Sequence, residues 1–419
     1  MAPPVLAGTA LDPVRRWLLT TDQRGLADVY DELRAAGPLV PTAWGSLLVT
    51  GRRDCARVLT DRTWLTIGAR WRDRNCPGWR RSPSTVALCR SALQTDPPLH
   101  AHKRHLLTRV VAPRLLPHLD TVVARQVDAH LRALDDRLRR EGTVDVVEAV
   151  CRPLPTAVLT ELLDLPPVDL DWLRTAAHDY SRTAELVRTP TLVRRADAAA
   201  VALTDRLGAL IDRRRRESPL PRWCEPAPQD ALDVLLTLFG AGVVTTSALL
   251  GSVCLALVEN PATAARIDGD PRLADRFVDE VLRWDPPARV VTRVAAAPAE
   301  LAGTVLPAGR VVHVLLGAAH RDPEAFDDPH AFDPWRPSER TLAFGAGAHY
   351  CVGAAVGRAQ AVALARGLAR RLRGLRLAAP PRRRTGPNFA DLDHLPVTAG
   401  LAAARTARPP RARTERHGT

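Results

Sequence analysis

The chain has 419 residues, 46% of them apolar, and a formal net charge of +13. This excludes a disordered or fibrous protein and allows a large buried core. The charges are scattered, Lys103 is the only lysine, and no zinc-finger pattern or basic stripe interleaved with aromatics exists, so no nucleic-acid partner is expected.

The first residues, MAPPVLAGTALDPVRR, lack a basic n-region followed by an apolar core, so no signal peptide is expected. ADVYDELRAAG (27–37) reads as a helix and WGSLLVTG (44–51) as a short strand. Residues 62–95, rich in Pro, Gly, Trp and Arg, read as a long loop region or short helices of the kind that shapes a ligand site. From about 99 to 225 helix follows helix, with breaks at RPLPTA and LDLPPVDLDW. No charged residue occurs from Val234 to Val258, a length that can cross a bilayer. Its glycines, Thr245, Thr246 and Ser247, with Asp233 and Glu259 flanking, favour instead a helix at the centre of a cytoplasmic protein with no membrane contact. ADRFVDEVLRW (274–284) reads as a helix stopped by Asp285-Pro286-Pro287. LAGTVLPAGRVVHVLL (301–316) reads as a hairpin feeding a strand. Residues 354–374 read as a helix, and LDHLPVTAG (392–400) as a short strand or turn. The Arg- and Pro-rich end, 406–419, reads as a disordered basic tail. The fold class is mainly α with small β-sheets.

Seven cysteines are present, Cys55, Cys76, Cys89, Cys151, Cys224, Cys254 and Cys351. Their odd number and wide spacing argue against a disulfide framework or a CxxC zinc site, and for a reducing cytoplasm. Cys351 is distinctive: in FGAGAHYCVGAAVGRAQ (344–360) it follows a Gly-rich loop and precedes a helix. Helix N-terminal amides are expected to lower its thiol pKa. A thiolate there suits a nucleophile, a zinc ligand or an axial haem ligand. His349, two residues away, is expected to point elsewhere, which disfavours a hydrolase pair. Zinc needs more ligands nearby, whereas haem needs one protein ligand. Glu280 and Arg283 share a helix face and can form a bidentate pair, although taken alone such a pair is more often an ordinary surface bridge. In the apolar helix, Gly242 removes a side chain where a ligand could press. Thr245 places a hydroxyl there, free to face a ligand or to bond back to the carbonyl four residues earlier. His100, Arg104, Arg293 and His349 are candidate donors for the two propionates of a haem.

Together these pieces resemble the cytochrome P450 family. Its haem-binding pattern F-x-x-G-x-x-x-C-x-G is matched by Phe344, Gly347, Cys351 and Gly353, with Arg358 further on. The ExxR pair matches Glu280 and Arg283. Residues 320–337 look like the family's segment between these motifs, and His100 and Arg104 after Asp96-Pro97-Pro98 look like its bacterial C-helix pattern. The resemblance spans about residues 20–400. It implies a single cytochrome P450 domain over 1–405 with haem b (iron protoporphyrin IX) as cofactor and Cys351 as iron ligand. His100, Arg104, Arg293 and His349 would lie at the propionates, and Phe344 and Gly353 beside the haem. The implied reaction is dioxygen-dependent hydroxylation of a small secondary metabolite by a monomer, with electrons from ferredoxin and ferredoxin reductase. One departure stands out: Val244 occupies the position that usually carries an acid beside Thr245. The usual acid–alcohol pair supplies protons for dioxygen reduction, so substrate groups and waters would have to replace it. The alternative is oxidative coupling of aromatic substrates such as cyclic dipeptides, without oxygen insertion. The substrate pocket is expected from residues 62–95, 165–190, the apolar helix, 287–292 and the turn at His394 and Leu395.

Overall fold

A computed structural model describes residues 12–112, 118–166, 168–217, 219–337, 341–371 and 374–399; the tail 406–419 lies outside them. The fold is organised around one helix, Pro228–Glu259, hereafter the central helix. Pro228 starts it, in the first turn where the missing N–H costs nothing, and Asn260-Pro261 ends it. Lys103, on the helix Leu99–Val111, fastens its start through Asp230 (2.8 Å) and Asp233 (2.7 Å). The central helix meets the length and hydropathy of a membrane span, with 78% of the most apolar window buried inside the protein. Its apolar surface is therefore satisfied by other helices.

Two large apolar clusters flank it. In one, Leu249, Leu250 and Val253 pack with Leu131 and Leu134 of Leu119–Glu141, Phe277 and Val281 of Pro271–Trp284, and Leu364 and Ala365 of Ala354–Arg371. In the other, Leu235, Leu236 and Phe239 pack with Leu173 and Tyr180 of Leu170–Ser181 and Leu203 and Leu207 of Pro190–Arg214. Burying a side chain of this size is worth about 1.5–3 kcal/mol, so these clusters hold the helices in place.

The 62–95 region forms short elements: the strand Trp64–Leu65, the helix Ala69–Asn75, a 3-10 turn and the helix Pro83–Arg90. A five-stranded sheet runs in the order Leu39–Pro41, Leu47–Val49, Val311–Leu315, Val290–Ala295, Trp64–Leu65. Leu47–Val49 pairs with Val311–Leu315 in parallel, with Leu48 opposite His313; the other pairs are antiparallel. The expected hairpin is present as Ala299–Leu301 with Thr304–Leu306, which feeds Val311–Leu315. Residues 392–400 contribute two short strands, Leu392–His394 and Pro396–Thr398.

The Glu280–Arg283 pair is interior and not a surface bridge. Glu280 Oε1 and Oε2 accept from Arg283 at 2.7 and 2.8 Å, and Glu280 also accepts the Asp333 amide at 2.8 Å. Arg283 spends its other donors on the carbonyls of His320, Pro329 and Ala331. The pair therefore clamps the segment 320–333, which leads to the Cys351 loop. A second buried network went unread in the sequence, where Asp285 served only as part of a helix stop. Its carboxylate accepts from Ser252 of the central helix (2.8 Å), Arg289 (2.8 Å) and Arg383 (2.9 Å). Burial alone would raise its pKa, but the two guanidiniums hold it well below the usual carboxylate range.

Candidate active site

Cys351 is the only exposed cysteine among the seven. Its amide donates to the Phe344 carbonyl at 2.8 Å, so the loop 344–351 closes on itself, while Phe344 packs on the larger core cluster. Gly347 is required twice over. Its φ is +66°, and a Cβ would stand 2.5 Å from the Leu59 carbonyl oxygen. A Cβ on Gly353 would meet nothing, so the surface beside the thiol is flat and open at that position.

The expectation of a lowered Cys351 pKa is corrected. Cys351 is open to solvent contact yet has protein on most sides, and that surrounding protein raises its thiol pKa, with the Gly353 amide and the Arg104 charge only partly offsetting it. The helix start brings one N–H to the sulfur, too little to outweigh burial. A directly bound metal ion would deprotonate such a thiol outright.

Four cationic or donor groups gather beside this loop. His100, buried on Leu99–Val111, stacks on His349 with ring centroids 4.2 Å apart. Arg104, one turn on, donates to the Tyr350 carbonyl at 2.7 Å. Arg293, buried on its strand, reaches only the Thr292 carbonyl. The His349 imidazole is held down at about 3 by burial and by the charges of Arg293, His100 and Arg104. Burial likewise pushes Arg293 down to about 10, with Asp96 offsetting part of it. Asp96 itself is engaged by the Thr66 amide and hydroxyl, both at 3.0 Å. Among the described residues none of the four forms an ion pair with a carboxylate. A set of convergent donors left without an anion fits a group carrying two carboxylates, and the exposed thiol beside it fits a group held by one protein ligand.

The central helix supplies the opposite wall. From Ala231 to Leu257 every residue is buried except Ala241, Gly242 and Thr245. At i, i+1 and i+4 these share one face, so the helix opens to a cavity at that stripe. The Thr245 hydroxyl donates to the Ala241 carbonyl at 2.6 Å, the back-bonded arrangement. Val244 is 1% exposed and does not line the stripe. A carboxylate there would be desolvated, so Val244→Asp should destabilise the helix. Gly242 is open, since its nearest neighbour for a Cβ is Leu159 Cδ1 at 3.4 Å; the tightly packed glycine is Gly240, where a Cβ would stand 2.5 Å from the Tyr180 ring.

Arg358, beyond the thiol loop, is paired with Asp275 and Asp279 at 2.7 and 2.8 Å. One further expectation changes. The turn at His394 and Leu395 is not a pocket wall: His394 bonds Asp145, and Leu395 is fully buried in the larger cluster. The C-terminal segment brought to residues 184–186 and 287–289 is 387–390. There Asn388 accepts the Leu186 amide, donates to the Ala184 carbonyl and accepts the Arg289 amide, while Phe389 bridges Ala288. Position along the chain alone misplaced this turn by about one strand.

Residues 272–390 match the family model described as Cytochrome P450. Cytochrome P450 monooxygenase PikC of Streptomyces venezuelae is 33% identical over 372 residues, covering 84% of this chain and 85% of that one. Nocardicin C N-oxygenase of Nocardia uniformis subsp. tsuyamanensis is 30% identical, over 88% and 94%. The crystal structure of P450BioI, in complex with hexadec-9Z-enoic acid ligated acyl carrier protein, superposes with a TM-score of 0.83 at 25% identity, over 90% and 99%. The similarity runs along nearly the whole chain, and the thiol loop, the interior Glu-x-x-Arg clamp and the opened central helix all fall within it. The chain accordingly belongs to the cytochrome P450 family, whose members are haem-dependent oxidoreductases that use dioxygen on small molecules.

Proposed function

We propose that this P450 hydroxylates a small natural-product scaffold, with Cys351 as the axial haem ligand, as a cytoplasmic monomer drawing electrons from a ferredoxin and its reductase. The observation that carries the reading is the exposed Cys351 thiol flanked by His100, Arg104, Arg293 and His349 without a carboxylate among them. Haem held by Cys351 would supply dioxygen activation there. Arg293 and Arg104 would neutralise the propionates, and the uncharged His100 and His349 imidazoles would orient them as hydrogen-bond donors. Phe344 and Gly353 shape the near side of the haem site. Ala241, Gly242 and Thr245 shape the far side, where Thr245 Oγ1 holds a proton close to the reacting groups. The natural-product assignment is supported by relatives such as the nocardicin C N-oxygenase. The net charge of +13 supports an acidic electron donor.

The reduced, carbon-monoxide-bound protein should show the absorption band characteristic of thiolate ligation, and Cys351→His should move it. An unmoved band refutes the ligand assignment. Oxidative coupling stays as a second reading because of one observation: Val244 offers no acid, and the Thr245 hydroxyl is turned back onto its own helix. Turnover under labelled dioxygen separates the two. Label in the product supports hydroxylation, and a coupled product without label supports the second reading.

A further inference from the structure

A cavity of about 590 Å³ opens on a part of the protein that the Cys351 site does not use. Three helices enclose it. Leu119–Glu141 contributes Gln126 and His130, Pro153–Leu162 contributes Ala157, Thr160 and Glu161, and Leu170–Ser181 contributes Arg174. The turn between the last two adds Asp164 and Asp169. No residue of the central helix, of the Cys351 loop or of 62–95 lines it. Pro153–Leu162 is the partition. Ala157, Thr160 and Glu161 fall on one face of that helix by their spacing, while Leu159, nearly opposite, comes within 3.4 Å of where a Gly242 Cβ would stand. One helix thus separates this cavity from the Thr245 stripe. Its volume is that of a small-molecule site, roughly 300–1,000 Å³.

The lining has the opposite charge balance to the chain as a whole. The chain has 59 basic and 46 acidic residues, yet four carboxylates, Glu161, Asp164, Asp169 and Asp171, line the cavity against one guanidinium, Arg174. Glu161 is engaged by Gln126 at 2.7 Å and by Arg125. The other three are loosely held. Asp164, 91% exposed, meets Arg214 at 3.8 Å, and Glu217 also holds that arginine. Asp171, 87% exposed, meets Arg174 at 3.4 Å, and Glu148 shares it. Asp169 caps its helix through the Trp172 amide and forms no ion pair among the described residues. Two more acceptors are unused. Thr160 Oγ1 is buried without a hydrogen-bond partner. His130 Nδ1 donates to the Gln126 carbonyl at 2.8 Å, which leaves Nε2 of the neutral ring with its lone pair. Pro153, Ala157, Leu165 and Leu170 supply the apolar part of the lining. Acceptors and negative charge beside an apolar wall select a ligand with N–H donors, a positive charge and an apolar body.

We propose that this cavity is a second binding site, separate from the haem site, for a protonated organic amine carrying an alkyl or aryl group. The ammonium would lie among Asp164, Asp169 and Asp171, and the apolar group against Ala157, Leu165 and Leu170. The proposal does not depend on the reaction assigned to the Cys351 site.

The test uses the full-length, haem-loaded protein. The probe is N,N-dimethylphenethylamine, whose crowded nitrogen makes it a poor ligand for iron. The control is 4-phenyl-2-butanol, which has the same shape and no charge. Binding is read by calorimetry at neutral pH and constant low ionic strength, with the Soret band recorded in parallel. The amine should bind about fivefold or more tightly than the alcohol, without moving the Soret band. Asp164→Asn combined with Asp171→Asn alters two exposed side chains, and Asn also suits the φ of +48° at Asp164. This double variant should fold as wild type does and bring amine and alcohol to within about twofold. A wild type that binds neither probe, or binds both alike, overturns the proposal, as does a double variant that keeps the preference. Amine binding that moves the Soret band in step with the calorimetric signal also overturns it, because it places the amine at the haem.

Discussion

Replacing Glu280 with Ala removes three hydrogen bonds at once: two from Arg283 at 2.7 and 2.8 Å and one from the Asp333 amide at 2.8 Å. The Arg283 side chain, 2% exposed, would keep its three bonds to the carbonyls of His320, Pro329 and Ala331 but lose its counter-charge. An uncompensated buried charge of this kind costs about 3–5 kcal/mol, a large share of a typical protein's margin of stability. The damage would concentrate in the segment 320–333 and pass along the chain to the Cys351 loop. Glu280→Ala should therefore give little haem-loaded protein, and what is recovered should unfold at clearly lower urea concentration. Glu280→Gln, which keeps an acceptor but not the charge, should fall between. The assay is the yield of haem-loaded protein by absorbance together with the urea midpoint followed by circular dichroism. Normal yield and an unchanged midpoint for Glu280→Ala would show that the clamp is not needed.

Gly240→Ala should destabilise by about 1–3 kcal/mol, because its Cβ collides with the Tyr180 ring, whereas Gly242→Ala should gain up to about 1 kcal/mol of helix preference; chemical denaturation of both variants checks the contrast, and equal midpoints would refute it. His320, whose Nε2 accepts the Leu342 amide at 2.7 Å, is held at about 3 by burial and by the charges of Arg283, Arg52 and Arg321, and burial holds His313 at about 4. The unfolded chain binds more protons than the folded one between these values and the ordinary 6.5, so this stability is complete above about pH 6.5 and is lost as pH falls. His320→Gln should flatten the decline of the urea midpoint between pH 6.5 and 4, and an unaltered slope would count against it. Thr245→Val, which keeps the shape but not the hydroxyl, should release more hydrogen peroxide per electron pair in the reconstituted system than Thr245→Ser; equal release from both would remove Thr245 from proton handling.

The sequence by itself determined the helix-rich class, the central helix, the thiol loop and the Glu280–Arg283 pair, because each rests on local chemistry. An uncharged stretch of helix length, glycines ahead of one cysteine and a carboxylate three residues from an arginine can all be read over a few neighbours. It could not say whether Glu280 and Arg283 are buried, since that depends on the segment 320–333 folding over them. It also could not separate Gly240 from Gly242, because the difference lies in Tyr180, some 60 residues away in the chain and reaching one of them only. The raised pKa of Cys351, the Asp275 and Asp279 partners of Arg358 and the displacement of the pocket turn from 394–395 to 387–390 share this cause. Desolvation and ion pairing are set by what packs around a group, and only the tertiary structure decides that.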